Sequence, residues 1–157
     1  MSYSWLKFLH VAAVLAFLGL HGASMTVLYA IRRERDRSKI LAMIQVSGQT
    51  TIPMYIAFLA IVLFGVLLAF KVHYWGQTWL WVSIVLLVAT AGLMTATAKP
   101  YFAKVKEACQ LRPSGVPRVS DEELGEVLRS GRAHLITAIG VIGLLAILYL
   151  MIFKPQL

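Results

Sequence analysis

A chain of 157 residues in which 59% are hydrophobic and only 14% charged is one domain by length and far more apolar than a soluble domain. Its net charge of +8 would suggest nucleic acid on a soluble face, but most basic residues flank apolar runs, so they read as topology determinants instead. The single cysteine, Cys109, excludes an internal disulfide and any CxxC redox or zinc motif.

The first apolar stretch, residues 5–31, covers roughly 39 Å as a helix, more than the ~30 Å hydrocarbon core. It lacks the basic start and small-residue cleavage site of a signal peptide, so it is expected to stay as a span. Within it His10 and His21 lie eleven residues apart, which returns the second to within roughly 20° of the first and roughly 16 Å along the axis. Both imidazoles therefore share a stripe, and ionisable groups in a bilayer face the bundle interior.

A basic connection, residues 32–50, leads to a second span at 51–70, where Pro53 is tolerated because it falls in the first turn. The short, aromatic connector KVHYWGQ makes spans two and three an antiparallel hairpin, with Tyr74, Trp75, Trp79 and Trp81 as an aromatic belt. Lys99 and Pro100 are expected to stop the third span, 78–98, because proline disfavours helix before it and has no amide to donate. The second long connection, 99–132, has its turn at Pro113, Ser114, Gly115 and Pro117 and a capping box over Ser120 to Glu123. It is expected to be the most dispensable part of the fold and the docking surface for a soluble partner. The fourth span is 133–153.

The expected fold is an all-α polytopic four-helix bundle forming a single membrane domain. The two long connections hold twelve of the fifteen Lys and Arg, five and seven respectively, against Lys7, Lys71 and Lys154 on the other face. The positive-inside rule then puts both termini outside and both long connections in the cytoplasm. This topology gives each histidine a depth. His10 lies just beneath the outer surface, His73 at the outer end of span two, His21 near the midplane and His134 at the cytoplasmic mouth of span four. His10 and His73 match in depth, whereas His21 and His134 differ by roughly 10 Å or more in upright helices.

Two imidazoles facing across a bundle are what six-coordinate haem b requires, which makes all four histidines cofactor-binding candidates and His10 with His73 the candidate iron ligands. Each also has a plain reading as an interhelical hydrogen-bond donor or a solvated interfacial group. All seven acidic residues lie in the connections, which argues against a carboxylate-based ion pathway. The sequence contains no Walker loop, GxGxxG, GxSxG or HExxH, and no catalytic residue is assigned.

The opening WLKFLHV, the small-residue stretch FLGLHG at 17–22, the two basic connections and the closing FKP resemble small bacterial four-span membrane proteins related to the CopD and HemJ groups. The chain is most similar to an uncharacterised branch with the same KFLH start and KP end. The resemblance implies a four-helix bundle in a bacterial cell (inner) membrane, with His10 as the family's first-span histidine. HemJ-type proteins bind haem b while oxidising protoporphyrinogen, and CopD-type proteins are linked to copper uptake. Relatives have an aromatic-glycine-glycine stretch where FLGLHG adds His21. The expected function is thus a haem b membrane protein in electron transfer or anchoring a redox complex, with a quinone or redox subunit as partner and self-association compatible. A HemJ-like oxidase and a copper-handling or purely structural subunit are the alternatives.

Overall fold

The computed structural model describes residues 1–156 and forms six α-helices: α1 Tyr3–Ala30, α2 Arg37–Gln49, α3 Thr51–Lys71, α4 Thr78–Cys109, α5 Asp121–Arg129 and α6 Arg132–Phe153. A 3₁₀ turn, Tyr74–Gly76, joins α3 to α4. Four stretches are long and apolar enough to cross a membrane: α1, α2 with α3, α4, and α5 with α6. The protein is a four-span integral membrane bundle, because lipid offers no hydrogen bonds and a helix satisfies its backbone internally. Its lipid-facing side chains are apolar: Leu15 on α1, Leu59 and Leu63 on α3, Val85 on α4 and Ile142 and Leu145 on α6 are all more than half exposed.

Each helix start has a local cause. Ser2 caps α1 by accepting from the Trp5 amide at 3.4 Å. Asp36 caps α2 by accepting from the amides of Ser38 at 2.9 Å and Lys39 at 3.4 Å. The expected box over α5 forms: Ser120 Oγ accepts from the Glu123 amide at 3.1 Å and Glu123 accepts from the Ser120 amide at 3.0 Å.

Pro100 does not stop α4. The helix runs on to Cys109 with the proline inside it, and the missing amide forfeits one bond to the Ala96 carbonyl. Packing of the following turns outweighs that loss. Tyr101, Val105, Ala108 and Cys109 are all at most 4% exposed and join Ile40 and Ile44 of α2, Leu124 and Leu128 of α5, and Ala133 and Ile136 of α6 in the largest buried cluster. Full burial of side chains of this size contributes about 1.5–3 kcal/mol each.

The second connection is therefore not a dispensable linker. Together with α2 and the end of α1 it builds a small folded platform on the basic face, and only its tip is free. Residues 111–117 are exposed, and their ends are already joined, because the Arg118 amide donates to the Gln110 carbonyl at 3.1 Å. Replacing 111–117 by a two-residue turn is expected to leave thermal stability within about 0.5 kcal/mol, as for a surface change away from any packed feature. A larger loss in a detergent melt would contradict this.

In the bundle, α1 packs chiefly on α3 and α4 chiefly on α6. The hairpin of α3 and α4 is thus antiparallel in course without close packing along its length. The two helices meet at their shared end, where Ala69, Trp79, Leu80 and Leu150 form a second cluster edged by Tyr74 and Trp75. Lys154 closes this end. Its left-handed backbone (φ 45°) terminates α6, and its ammonium donates to the Tyr74 hydroxyl at 2.9 Å, lying 4.7 Å from that ring's centre.

Candidate functional site

The register of α1 against α3 decides where the first-span histidines sit. The hydroxyls of Ser24 and Thr50 lie 3.0 Å apart, so the antiparallel pair brings residue 10 level with residues near 64. His10 is found there. Its Nδ1 lies 3.0 Å from the Ile61 carbonyl oxygen, and a Cβ on Gly65 would stand 3.2 Å from its Cε1. A carbonyl can only accept, so Nδ1 carries the proton and Nε2 keeps its lone pair. Gly65 supplies the space for the ring against the α3 backbone.

His21 shares the stripe but meets different helices. Its Nε2 stands 3.2 Å from where a Cβ on Gly140 of α6 would lie, and the Met94 sulfur of α4 stands 3.5 Å from the same point. The ring stacks on Phe17 (5.7 Å, 6°), which in turn packs on Phe58 of α3 (6.1 Å).

The depth match of His10 with His73 does not hold. His73 lies eight residues beyond Gly65, roughly 12 Å further out, and is exposed. The outer ends of α1 and α3 are level, Tyr3 with Lys71, but His10 lies seven residues inside that end and His73 two residues beyond it. His73 has a backbone role: it follows α3 in the left-handed conformation (φ 57°, ψ 40°) that usually selects glycine. Relief of about 1–2 kcal/mol of left-handed strain, offset by about 0.4–1 kcal/mol of extra unfolded-state entropy, makes His73→Gly neutral or stabilising by up to about 1.6 kcal/mol. A substantial fall in melting temperature would return a specific role to the imidazole.

His134 is exposed at the first turn of α6. Its Nδ1 is 3.4 Å from the Tyr29 hydroxyl and its Nε2 3.4 Å from Arg32 Nη2, while Tyr29 donates to Thr137 Oγ1 at 3.0 Å. That places it level with Tyr29, eight residues and roughly 12 Å beyond His21, as its expected depth required. The four histidines therefore stand at four levels with four sets of neighbours. Among the described residues no group of three or more His, Cys, Asp or Glu side chains could hold a metal ion. A haem held between two histidines of this chain does not fit the arrangement, since His10 and His73 are separated and the inner faces of His10 and His21 rest on helix backbone.

Two of the arginines that flank the spans are structural. Arg37 donates to the carbonyls of Ala108 at 2.6 Å and Val119 at 2.9 Å and to the Asp121 carboxylate at 2.7 Å. It ties the start of α2 to the end of α4 and the entry to α5. Arg32 donates to the carbonyls of Ser130 at 2.8 Å and Arg129 at 3.4 Å, where α5 ends. No sequence signal separates these two from the other basic residues, because their acceptors are backbone carbonyls far along the chain.

The fold and its embedded histidines define a multi-pass membrane protein of the four-helix class. Comparison with protein-family models, with curated proteins and with solved structures gives no match to this chain.

Proposed function

We propose that the chain is a membrane subunit, in which four spans hold a folded platform at the basic face for a soluble partner. The observation that carries this reading is where the tightest packing lies: the largest buried cluster is built by α2, α5 and the ends of α1, α4 and α6. Between the end of α4, the 110–119 loop and α5 runs an open groove of about 510 Å³, lined by Val119 and Val127 and by charges of both signs, Lys104, Arg112 and Arg118 with Glu107 and Glu123. This is where a partner would sit. Within the spans His10 and His21 serve interhelical packing, each seated on a glycine.

The positive-inside rule puts the platform in the cytoplasm and both termini outside. Cys109 is 2% exposed and too buried to report sidedness. A Ser114→Cys probe in a Cys109→Ala background, in right-side-out vesicles, should resist an impermeant thiol reagent until the membrane is opened. Labelling from outside would reverse the orientation.

A second reading is a haem b protein in which His10 is the one ligand from this chain. It is favoured by the Nδ1 hydrogen bond to Ile61, since histidines that ligate metals commonly donate their other ring nitrogen to a carbonyl. The second axial position would then come from another copy or a partner. The absorption spectrum of protein purified from cells with ample haem separates the readings. The subunit reading expects no Soret band; a Soret band lost in His10→Ala would replace it with the haem reading.

A further inference from the structure

We propose that the seam between α1 and α6 on the basic face binds the phosphate of an anionic phospholipid. At the membrane boundary Tyr29, Arg32, His134 and Thr137 gather polar groups within hydrogen-bonding reach of one another, and His134 is exposed. Arg32 directs three of its five N–H donors to Ser130, Arg129 and His134 and also lies beside the Tyr101 hydroxyl, which leaves at least one for a ligand. Basic sites between spans at a cytoplasmic surface suit anionic headgroups.

The faces above this cluster suit acyl chains. Stepping up α6 from His134 by helical repeats gives Val141, Leu145 and Leu148, and stepping up α1 from Tyr29 gives Leu18 and Leu15. All five are exposed and apolar. Gly22 lies on the same track with open space where a side chain would be. The inner side of the seam is closed by His21 against Gly140 and its foot by Tyr29 against His134, so the open track is the outer one along these exposed side chains. A cationic foot below an apolar groove matches one amphiphile with a phosphate at the boundary and chains alongside the bundle.

The test is thermal unfolding of the purified full chain in neutral detergent with phosphatidylglycerol, phosphatidylcholine or inorganic phosphate. At about ten times the dissociation constant, phosphatidylglycerol is expected to raise Tm by about 3–5 °C and the other two by less than half of that. His134→Gln, at an exposed position, should melt within about 2 °C of wild type without lipid yet lose at least half of the lipid shift. Arg32→Lys should lose as much, and Lys99→Gln, elsewhere on the same face, should keep it. Equal shifts with phosphatidylcholine, equal loss in Lys99→Gln, or a full shift from inorganic phosphate alone would overturn the proposal.

Discussion

Replacing Arg37 by alanine is expected to loosen the platform while the spans still insert. One guanidinium, its side chain 13% exposed, serves the carbonyls of Ala108 and Val119, so truncation leaves two acceptors from separate elements without their donor. Hydrogen bonds to charged groups contribute about 1.5–3 kcal/mol each, so a loss of about 3 kcal/mol is expected. That corresponds to a fall in Tm of about 6–12 °C for a chain of this size. The ion pair is the smaller part, because the Asp121 side chain is 91% exposed and such pairs contribute about 0–1 kcal/mol. Asp121→Asn should therefore melt close to wild type, and Arg37→Lys should recover under half of the loss, since an ammonium lacks the planar fork that reaches both carbonyls. A melt of Arg37→Ala within about 2 °C of wild type would remove the arginine from the account.

The second large effect is expected at Gly143. A Cβ there would come within 2.6 Å of Thr90 Cγ2 and 3.0 Å of Thr90 Cβ on α4. Threonine is branched at that carbon and cannot swing clear, so the two helices must part or distort. Overpacking of this kind costs about 1–3 kcal/mol, and Gly143→Ala is expected to lose that much in a detergent melt. Thr90→Ala removes the obstacle, so the double variant should recover most of the loss and show a coupling of at least about 1 kcal/mol. Simple additivity would mean that α4 and α6 do not meet through this pair.

Much of this architecture is legible from the residues. Four apolar runs bounded by charge predict four spans, Pro53 in a first turn predicts the start of α3, and Ser120 with Glu123 predicts the cap of α5; each is found. The platform was legible in part. Tyr101, Val105 and Ala108, like Leu124 with Leu128, recur at helical spacing and signal a buried face, but Pro100 signals a stop just ahead of it. The register of α1 on α3 is legible too, since an outer end at residue 5 level with one at residue 70 sets residue 10 opposite residue 65, near where His10 is found; His73 lies beyond the end of its span. What an apolar sequence does not show is which helices a span meets: nothing marks Gly140 of α6 and Met94 of α4 as the neighbours of His21. The roles of Arg32 and Arg37 were hidden for a related reason: their acceptors are main-chain carbonyls, which carry no sequence signature.

Amide hydrogen exchange of the intact protein in detergent tests the folded platform most directly. Exchange reports local opening, so buried helices of a packed unit exchange slowly while an exposed loop tip exchanges at once. The account predicts that amides of residues 101–109 and 124–128 are protected to an extent comparable with the platform's α2, and that the exposed amides of Ser114 and Val116 exchange within the dead time. Exchange of 101–109 and 124–128 as fast as the loop would contradict the platform and leave a bundle with a loose connection.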